Sequence, residues 1–407
     1  MKCGLLGRKL GHSYSPQIHG KLGDYPYQLF EKEPEEVENF LRTGDFTGIN
    51  VTVPYKKDVI PFLDELSSVA QKLGAVNTVV RRDGKLIGHN TDYFGFQSMV
   101  LASGISVCGK KALVLGSGGA SNTAVAVLYE LGAEVVVISR SGENNYDNLS
   151  KHADATVLVN TTPVGMYPNT RVSPVNLDLL PKLEGVLDVI YNPARTQLLL
   201  DAENRGLVTM NGLLMLVAQA KESAEWFTGT SLSDNLISEI HKALSQQMQN
   251  IVLIGMPGCG KSTVGKLLAE KTGKTFVDAD EKIVELAGKS IPDIFAEDGE
   301  EVFRCIETQA LEILGKQSGL VIATGGGCVT KERNYPLLHQ NGTILWLQRS
   351  IHTLPTDGRP LSQSNELNKM YALRKPLYDA FADLTVCNDS TLEETLSQIL
   401  GKLEETL

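Results

Sequence analysis

The sequence lacks any C-x-x-C pair, although it contains six cysteines. Because these cysteines are widely separated, their spacing favours neither a disulfide framework nor a zinc site and is typical of reduced thiols. No apolar run approaches the roughly 20 residues that a bilayer-spanning helix needs. We also expect no signal peptide, because the first residues contain no apolar stretch of sufficient length. The sequence therefore predicts a soluble, cytoplasmic protein with no membrane partner.

A basic surplus is absent as well. The formal net charge is −10, and no strongly basic segment or tail interrupts the chain. This distribution argues against nucleic acid as a partner. With 407 residues, of which 42% are hydrophobic, the chain is long enough for two or three domains with cores of their own. Composition leaves the oligomeric state open.

Two segments have the pattern of a strand, a glycine-rich turn and a helix. The first is KKALVLGSGGASNTAVAVLYELGA (110–133), and the second is MQNIVLIGMPGCGKSTVGKLLAEKTG (248–273). Such units predict α/β domains with parallel sheets. Between them, residues 231–247 carry Leu232, Leu236, Ile240 and Leu244 at helical spacing, which predicts an amphipathic helix that closes the first part. We interpret Met248 as the beginning of a second enzyme.

The second unit contains G-x-x-x-x-G-K-S, from Gly255 to Ser262, directly after the strand NIVLI. In this motif backbone N–H groups surround the phosphates of a nucleotide, and the lysine, here Lys261, reaches the β- and γ-phosphates. Ser262 is expected to ligate Mg²⁺, and the helix that follows adds its positive N-terminal dipole. The motif therefore predicts ATP binding through Gly258, Cys259, Gly260, Lys261, Ser262 and Thr263.

Asp278 and Asp280 follow the next predicted strand. One carboxylate at that place can hold Mg²⁺ and the other can orient an acceptor hydroxyl, although a pair of helix N-cap residues is the alternative. Farther along, Arg304 and Glu307 share a helix face, and the strand VIA ends in three glycines.

Residues 249–407 resemble the shikimate kinase family through the phosphate loop, D-x-D, G-E-x-x-F-R-x-x-E, G-G-G, R-P-L and R-x-P-L-Y, in that order. The resemblance implies that Asp278 assists Mg²⁺, that Asp280 orients or deprotonates shikimate, and that Arg359 is the lid arginine. It assigns substrate binding to Asp280, Arg304, Gly326, Gly327 and Arg374. One departure is the short lid from Arg349 to Arg359, in which no residue matches the arginine that stacks on adenine.

The glycine turn at 116–121 lies between the strand KALVL and an alanine-rich helix, a context typical of dinucleotide binding. At the end of the next strand stands Ser139-Arg140-Ser141, without the acid that an NAD site offers to the ribose. Arg140 can meet a 2′-phosphate, which favours NADP; a surface arginine is the alternative. Lys56 and Asp92 are the candidates for proton transfer to a carbonyl oxygen, although lone residues of these types are usually solvated.

Residues 1–247 resemble the shikimate dehydrogenase family. The motifs are H-S-x-S-P-x-x-H at 12–19, N-V-T-x-P-x-K at 50–56, G-A-V-N-T at 74–78, N-T-D-x-x-G at 90–95, N-T-T-P-x-G-M at 160–166, Y-N-P-x-x-T-x-L-L at 191–199 and G-L-x-M-L-x-x-Q-A at 212–220. The resemblance implies that Lys56 and Asp92 form the catalytic pair. It assigns substrate binding to Ser13, Ser15, Asn50, Thr52, Asn77, Tyr191 and Gln219, and cofactor binding to Gly116, Ser117, Gly118, Gly119, Ala120, Arg140, Thr161 and Gly212. Gly20 and Ser139 each replace an asparagine that is usual in the family.

Together the two resemblances imply a bifunctional enzyme that reduces 3-dehydroshikimate with NADPH and then phosphorylates shikimate with MgATP. We expect a substrate domain at 1–97, a Rossmann NADP domain at 98–212, closing helices at 213–247 that pack on the substrate domain, and a P-loop kinase at 248–407. Two alternatives stay open. One is a different acidic cyclitol or sugar acid, such as quinate in the first half or a gluconate-type acceptor in the second. The other is that one half is a non-catalytic assembly module.

Overall fold

The protein is represented by a computed structural model that describes residues 1–11, 13–354 and 364–405. It divides into two compact units. The first comprises Met1–Met166, Arg171–Tyr191 and Leu198–Ala243, and the second comprises Tyr167–Thr170, Asn192–Gln197 and Leu244–Leu407. Across the described ranges, no helix combines the length and the apolar character that crossing a membrane requires.

The first unit begins with a six-stranded sheet in the order β2-β1-β3-β5-β6-β4. Its strands are β1 (Cys3–Gly7), β2 (Tyr27–Glu31), β3 (Gly48–Val51), β4 (Glu65–Leu66), β5 (Thr78–Arg82) and β6 (Lys85–His89). Its helices are α1 (Ser15–Leu22), α2 (Val37–Thr43), α3 (Ser68–Leu73) and α4 (Asp92–Ala102). The sheet is mixed rather than parallel, because β5 runs antiparallel to both β3 and β6.

The β5–β6 hairpin has a local cause. Asp83 and Gly84 connect its two strands, and both have positive φ, at 49° and 77°. An Asp-Gly pair is favoured in two-residue hairpin turns of this handedness, because glycine and aspartate tolerate the left-handed region better than other residues. The turn therefore reverses the chain at a point where a crossover helix would have kept the strands parallel.

A five-stranded parallel sheet follows in the order β11-β10-β9-β7-β8. Its strands are β7 (Lys111–Leu115), β8 (Glu134–Ile138), β9 (Val157–Asn160), β10 (Gly185–Asp188) and β11 (Val208–Met210), and the helices are α5 (Gly119–Glu130), α6 (Gln197–Glu203) and α7 (Leu213–Thr228). All four residues of β9 and of β10 are buried, as expected for strands covered by helices on both faces.

The predicted amphipathic helix is present as α8 (Asn235–Met248). Ile240 and Leu244 are buried on one face, at 2% and 0% exposure. The helix begins four residues later than the predicted segment, so Leu232 lies ahead of it. Ser233 accounts for this start, because its hydroxyl accepts a hydrogen bond from the N–H of Asn235 at 3.3 Å.

The second unit is built on a parallel sheet in the order β13-β14-β12-β15-β16. Its strands are β12 (Asn250–Ile254), β13 (Thr275–Asp278), β14 (Leu320–Ala323), β15 (Gly342–Gln348) and β16 (Leu384–Cys387). Its helices are α9 (Lys261–Thr272), α10 (Ala279–Ala287), α11 (Ile291–Glu297), α12 (Gly299–Gly315), α13 (Asn334–His339), α14 (Ser364–Phe381) and α15 (Leu392–Glu405). β12 and β14 are buried throughout and form the centre of the hydrophobic core. The predicted α/β class is confirmed for both units.

Candidate active sites

The first unit contains a cavity of about 300 Å³. Its wall brings together nine of the residues proposed for chemistry or substrate binding: Ser13, Ser15, Asn50, Thr52, Lys56, Asn77, Asp92, Tyr191 and Gln219. Ala120 and Gly212, two of the expected cofactor residues, line the same cavity. Because β1 and β3 are parallel neighbours, the segments that follow them open at one edge of the sheet.

Lys56 and Asp92 are in direct contact in this cavity. Lys56 Nζ donates to Asp92 Oδ2 at 2.6 Å, and the two side chains are 31% and 16% exposed. Asp92 begins α4, where unpaired backbone N–H groups favour a negative charge. Its other oxygen, Oδ1, accepts from Asn77 Nδ2 at 3.0 Å. Asn77 therefore orients the carboxylate, a role that the sequence did not indicate.

A serine and a tyrosine in the wall of this cavity extend its polar surface. The hydroxyl oxygen of Ser13 accepts from the N–H of Ser15 at 3.2 Å, so its proton can be donated to an anionic ligand. Tyr191 packs edge-on against Tyr14, with ring centroids 6.2 Å apart. Burial raises the pKa of Tyr191, and the phenol is therefore neutral over the usual pH range.

The glycine turn lies between β7 and α5, at the carboxyl edge of the second sheet. Gly116 has φ +105°, a left-handed value that residues with a side chain rarely adopt. Thr161 follows β9 and donates its hydroxyl to the carbonyl of Leu115 at 2.6 Å, which fixes the exit of β7. Arg140 is exposed two residues after the end of β8, the strand beside β7. The turn and Arg140 thus share the edge at which Rossmann folds bind dinucleotides.

The second unit has a larger cleft of about 640 Å³ around the phosphate loop. Lys261 is buried, and its Nζ donates to the carbonyls of Gly255 and Met256 at 2.9 and 3.0 Å. Ser262 Oγ donates to Asp278 Oδ2 at 2.8 Å. Asp278 Oδ1 also accepts from the N–H of Asp280 at 3.0 Å as the N-cap of α10. Asp278 therefore fits both interpretations of its role, since each of its two oxygens has a separate partner.

Another part of this cleft is lined by α12 and by the glycines after β14. Arg304 is 7% exposed, and its Nη1 donates to Glu307 Oε2 at 2.8 Å. Gly327 lets the guanidinium lie against the backbone, because any side chain there would overlap Arg304. Burial raises the pKa of Glu307, the Arg304 charge opposes that rise, and the Asp280 carboxylate adds to it. Both carboxylates converge on Gly325, where a Cβ would lie 2.9 Å from Glu307 Oε1 and 3.1 Å from Asp280 Oδ1.

Arg374 comes from α14 to the same glycines. Its Nη1 donates to the carbonyl of Gly326 at 3.2 Å, and the hydroxyl of Tyr378 donates to that carbonyl at 2.5 Å. Tyr378 is buried and stacks on Trp346 with ring centroids 5.5 Å apart. The last residue of the R-x-P-L-Y motif therefore supports the glycine segment that lines the cleft.

One predicted residue and one missed residue concern the nucleotide. Arg359, the expected lid arginine, lies outside the described residues. Arg349 was not predicted, yet it lines the cleft with Gly260 and Lys261. It follows β15, the strand beside β12, so a guanidinium reaches the phosphate loop from a different segment. In the sequence, Arg349 could have been recognised as a candidate site residue because it stands directly after an apolar strand.

The two sites define a class of protein: an α/β enzyme with a dinucleotide-dependent catalytic unit and a P-loop phosphotransfer unit in one chain. Comparison with known proteins gives the families. A model described as "Shikimate dehydrogenase substrate binding domain" matches residues 5–79, and one described as "Shikimate kinase" matches residues 257–404.

Relatives of known name match the first unit over almost their whole length. The shikimate dehydrogenase (NADP(+)) of Clostridium perfringens strain 13 is 36% identical over 263 residues, which cover 59% of this chain and 97% of the relative. A crystal structure of shikimate dehydrogenase 1 from Peptoclostridium difficile is 37% identical with a TM-score of 0.55, covering 60% of this chain and 97% of that one. The Thermus thermophilus enzyme, solved with NADP(H) and shikimate, is 32% identical with a TM-score of 0.55, covering 60% and 99%.

The chain belongs to the shikimate dehydrogenase family, and a shikimate kinase domain follows the dehydrogenase in the sequence. Both predicted resemblances are thereby confirmed. The roles of the individual site residues are not tested by these matches and stay predictions.

Proposed function

We propose that this chain reduces 3-dehydroshikimate to shikimate with NADPH and transfers a phosphoryl group from ATP to the 3-hydroxyl of shikimate. The observation that carries the first activity is the contact of Lys56 with Asp92 at 2.6 Å inside a polar cavity. The second rests on Lys261, Asp280 and Arg304 lining one cleft. The named relatives support an NADP-dependent dehydrogenase, and the kinase match supports ATP.

In the reduction, bound NADPH supplies a hydride to the carbonyl carbon. Lys56 donates a proton to the carbonyl oxygen as negative charge develops there, and Asp92 holds the ammonium group at the reacting side of the cavity. Ser13 and Ser15 offer hydroxyl donors to the carboxylate, while Asn50, Thr52, Asn77, Tyr191 and Gln219 surround the ring. Gly116 to Ala120 and Thr161 hold the pyrophosphate side of the cofactor, and Arg140 meets its 2′-phosphate.

In the phosphoryl transfer, Lys261 and the loop from Gly258 to Thr263 bind the phosphates of ATP. A hydroxyl and a carboxylate oxygen meet where Ser262 contacts Asp278, which is the donor chemistry that Mg²⁺ prefers beside nucleotide phosphates. Mg²⁺ held there would neutralise phosphate charge. Asp280 orients the acceptor hydroxyl, and Arg304 with Arg374 binds the substrate carboxylate beside Gly326 and Gly327.

The same proposal includes the organisation of the chain. We place the substrate domain at 1–97, the NADP domain at 98–212, the closing helices at 213–247 and the kinase at 248–407. Within the first unit, α7 lies against α1 and α4 and reaches β3, which supports a return of the chain to the substrate domain. All six cysteines are free thiols, which supports the reducing environment of the cytoplasm.

One assay tests both activities. The full-length chain is given 3-dehydroshikimate, NADPH and MgATP, and NADPH loss and ADP release are followed together. NADPH loss that precedes ADP release, with ADP abolished in Lys261→Ala but NADPH loss retained, is the expected result. Lys266→Ala is the matched control, because Lys266 is exposed on the same helix. ADP release without prior NADPH loss contradicts the scheme, and faster turnover of quinate than of shikimate in the reverse direction contradicts the proposed substrate.

A further inference from the structure

Ser223 connects the substrate side chains of the first unit through one buried hydroxyl. It lies on α7, one turn after Gln219, and its exposure is 0%. Four hydrogen-bonding groups surround its Oγ: Asn50 Nδ2 at 2.7 Å, Thr78 Oγ1 and Thr91 Oγ1 at 3.0 Å each, and the carbonyl of Gln219 at 2.9 Å. These partners come from β3, from β5, from the residue that precedes α4 and from α7 itself.

The single proton of Ser223 is committed to the carbonyl of Gln219, because a carbonyl oxygen can only accept. In its other hydrogen bonds the Ser223 oxygen can therefore only act as an acceptor. Asn50 Nδ2 is its nearest donor, and an amide nitrogen can only donate. Thr91 Oγ1 also lies 3.0 Å from Ser223 Oγ, and the single Thr91 proton has Asn77 Oδ1 at 3.2 Å and Gln219 Oε1 at 3.4 Å as further acceptors.

This arrangement determines which atom of the Asn50 amide faces the ligand. All three contacts of Nδ2 point into the protein, to Ser223 Oγ, to Thr78 Oγ1 at 3.2 Å and to the carbonyl of Asn77 at 3.3 Å. Oδ1 accepts from the Tyr27 hydroxyl at 2.7 Å, and because Asn50 lines the cavity, an acceptor oxygen is what the amide offers there. Rotating the amide by 180° would place Oδ1 against the carbonyl of Asn77 and against a serine oxygen whose proton is committed.

We propose that Ser223 is a positioning residue that makes Asn50 present its carbonyl oxygen to the cavity, so that the bound substrate must donate a hydroxyl proton there. The inference rests on the proposed reduction. It adds the requirement that the substrate donate a hydrogen bond, and not accept one, at Asn50. A ligand that offers an ether, a fluorine or a hydrogen atom at this position cannot supply the proton. Ser223 itself touches no ligand, since it is buried behind Asn50.

The expected effect is on substrate binding more than on the chemical step. Without the Ser223 hydroxyl, Asn50 Nδ2 loses its shortest contact and keeps only the two longer ones, so the preference for an outward-facing Oδ1 is weakened. Asp92 is affected less, because it retains Lys56 at 2.6 Å and Asn77 at 3.0 Å. We therefore expect Ser223→Ala to raise KM for 3-dehydroshikimate about tenfold, as for one lost interaction of about 1.4 kcal/mol, with kcat changed less than about threefold.

Selectivity among substrates shows whether Ser223 orients Asn50 or only maintains the packing of the unit. Wild type and Ser223→Ala are compared on 3-dehydroshikimate and on two analogues that each lack one ring hydroxyl. The wild-type chain discriminates against the analogue that lacks the hydroxyl facing Asn50, and the variant loses about tenfold of that discrimination while keeping its discrimination against the other analogue. Ser223→Thr, which restores a hydroxyl, returns KM to within about threefold of wild type.

Two controls accompany the measurement. Thr228→Ala removes a hydroxyl that donates to the carbonyl four residues earlier on the same helix, but Thr228 is exposed and remote from the cavity, so its kinetics match wild type. KM for NADPH stays unchanged in Ser223→Ala if the fold of the unit is intact. A variant that turns over all three substrates with equally reduced efficiency overturns the inference, as does an unchanged KM. A wild-type chain that does not reduce 3-dehydroshikimate overturns the proposed function instead.

Discussion

Lys56 Nζ lies 2.6 Å from Asp92 Oδ2, although 36 positions separate the two residues in the chain. Asn77 holds the other oxygen of Asp92, so the carboxylate is fixed from both sides. Because Asn77 holds the Asp92 carboxylate in place, Asp92 can keep the Lys56 ammonium group oriented while Lys56 donates a proton to a bound ligand.

We expect Lys56→Ala to lower kcat for 3-dehydroshikimate reduction by about 10²- to 10⁴-fold, the usual contribution of a positioned acid. Lys57→Ala is the matched control, because Lys57 is exposed and adjacent in the sequence. Steady-state NADPH oxidation measures the effect, and phosphorylation of added shikimate by the same preparations shows that the second unit is intact. Equal loss in both variants would mean that Lys56 has no special role.

The planar guanidinium of Arg304 contacts Glu307 and Glu300, and we propose that it binds the carboxylate of shikimate. We expect Arg304→Lys to raise KM for shikimate by about 10- to 100-fold and to leave KM for ATP unchanged, since an ammonium group cannot reproduce two parallel hydrogen bonds to a carboxylate. Arg333→Lys makes the same chemical change at an exposed position near the same helix and is expected to be silent. A rise in KM for ATP alone would place Arg304 at the wrong end of the cleft.

Arg140 is the expected contact for the 2′-phosphate of NADPH. Arg140→Ala should raise KM for NADPH by about tenfold or more and change KM for NADH little, because NADH has no phosphate at that position. Lys182→Ala removes an exposed cation just before β10, away from the cofactor edge, and serves as the control. If both cofactors are weakened equally, the role of Arg140 is not phosphate recognition.

Because His19 is buried, we expect the stability of the first unit to decrease in acid. Burial lowers its pKa from 6.5 to about 3, and its ring stacks on Tyr27 at 4.0 Å. Because the unfolded state binds the proton more tightly, the contribution of neutral His19 is complete above about pH 6.5 and falls as the pH decreases toward 3, by at most about 1.4 kcal/mol per pH unit.

Comparison with His19→Gln isolates this contribution. The variant is expected to lose less unfolding free energy than wild type between pH 6.5 and pH 4, because glutamine does not titrate. The chain has two tryptophans, so in a Trp346→Phe background the fluorescence of Trp226 reports the first unit. Parallel pH profiles of wild type and variant would show that other groups control acid unfolding.

The two nucleotide-binding turns could be predicted from the sequence because their requirements are local. A phosphate loop needs glycines at set positions, a lysine and a following helix, and Gly255 to Thr263 meets those needs within nine consecutive residues. The α/β class followed from the same units and is confirmed. The mixed first sheet was not foreseen, although the Asp83-Gly84 turn that causes it is also a local signal.

Contacts between distant residues were decided only in the folded chain. Asn50 and Ser223 are 173 positions apart, and no periodicity or motif indicates that their polar atoms meet at 2.7 Å. Arg349 and Glu307 likewise enter the kinase cleft because strands and helices from separate segments end at one edge of a sheet. The amino-acid sequence alone determined which chemical groups the chain carries, and its local patterns determined where strands and turns alternate. The pairing of those groups depends on burial and on hydrogen-bond partners that exist only after the segments have packed.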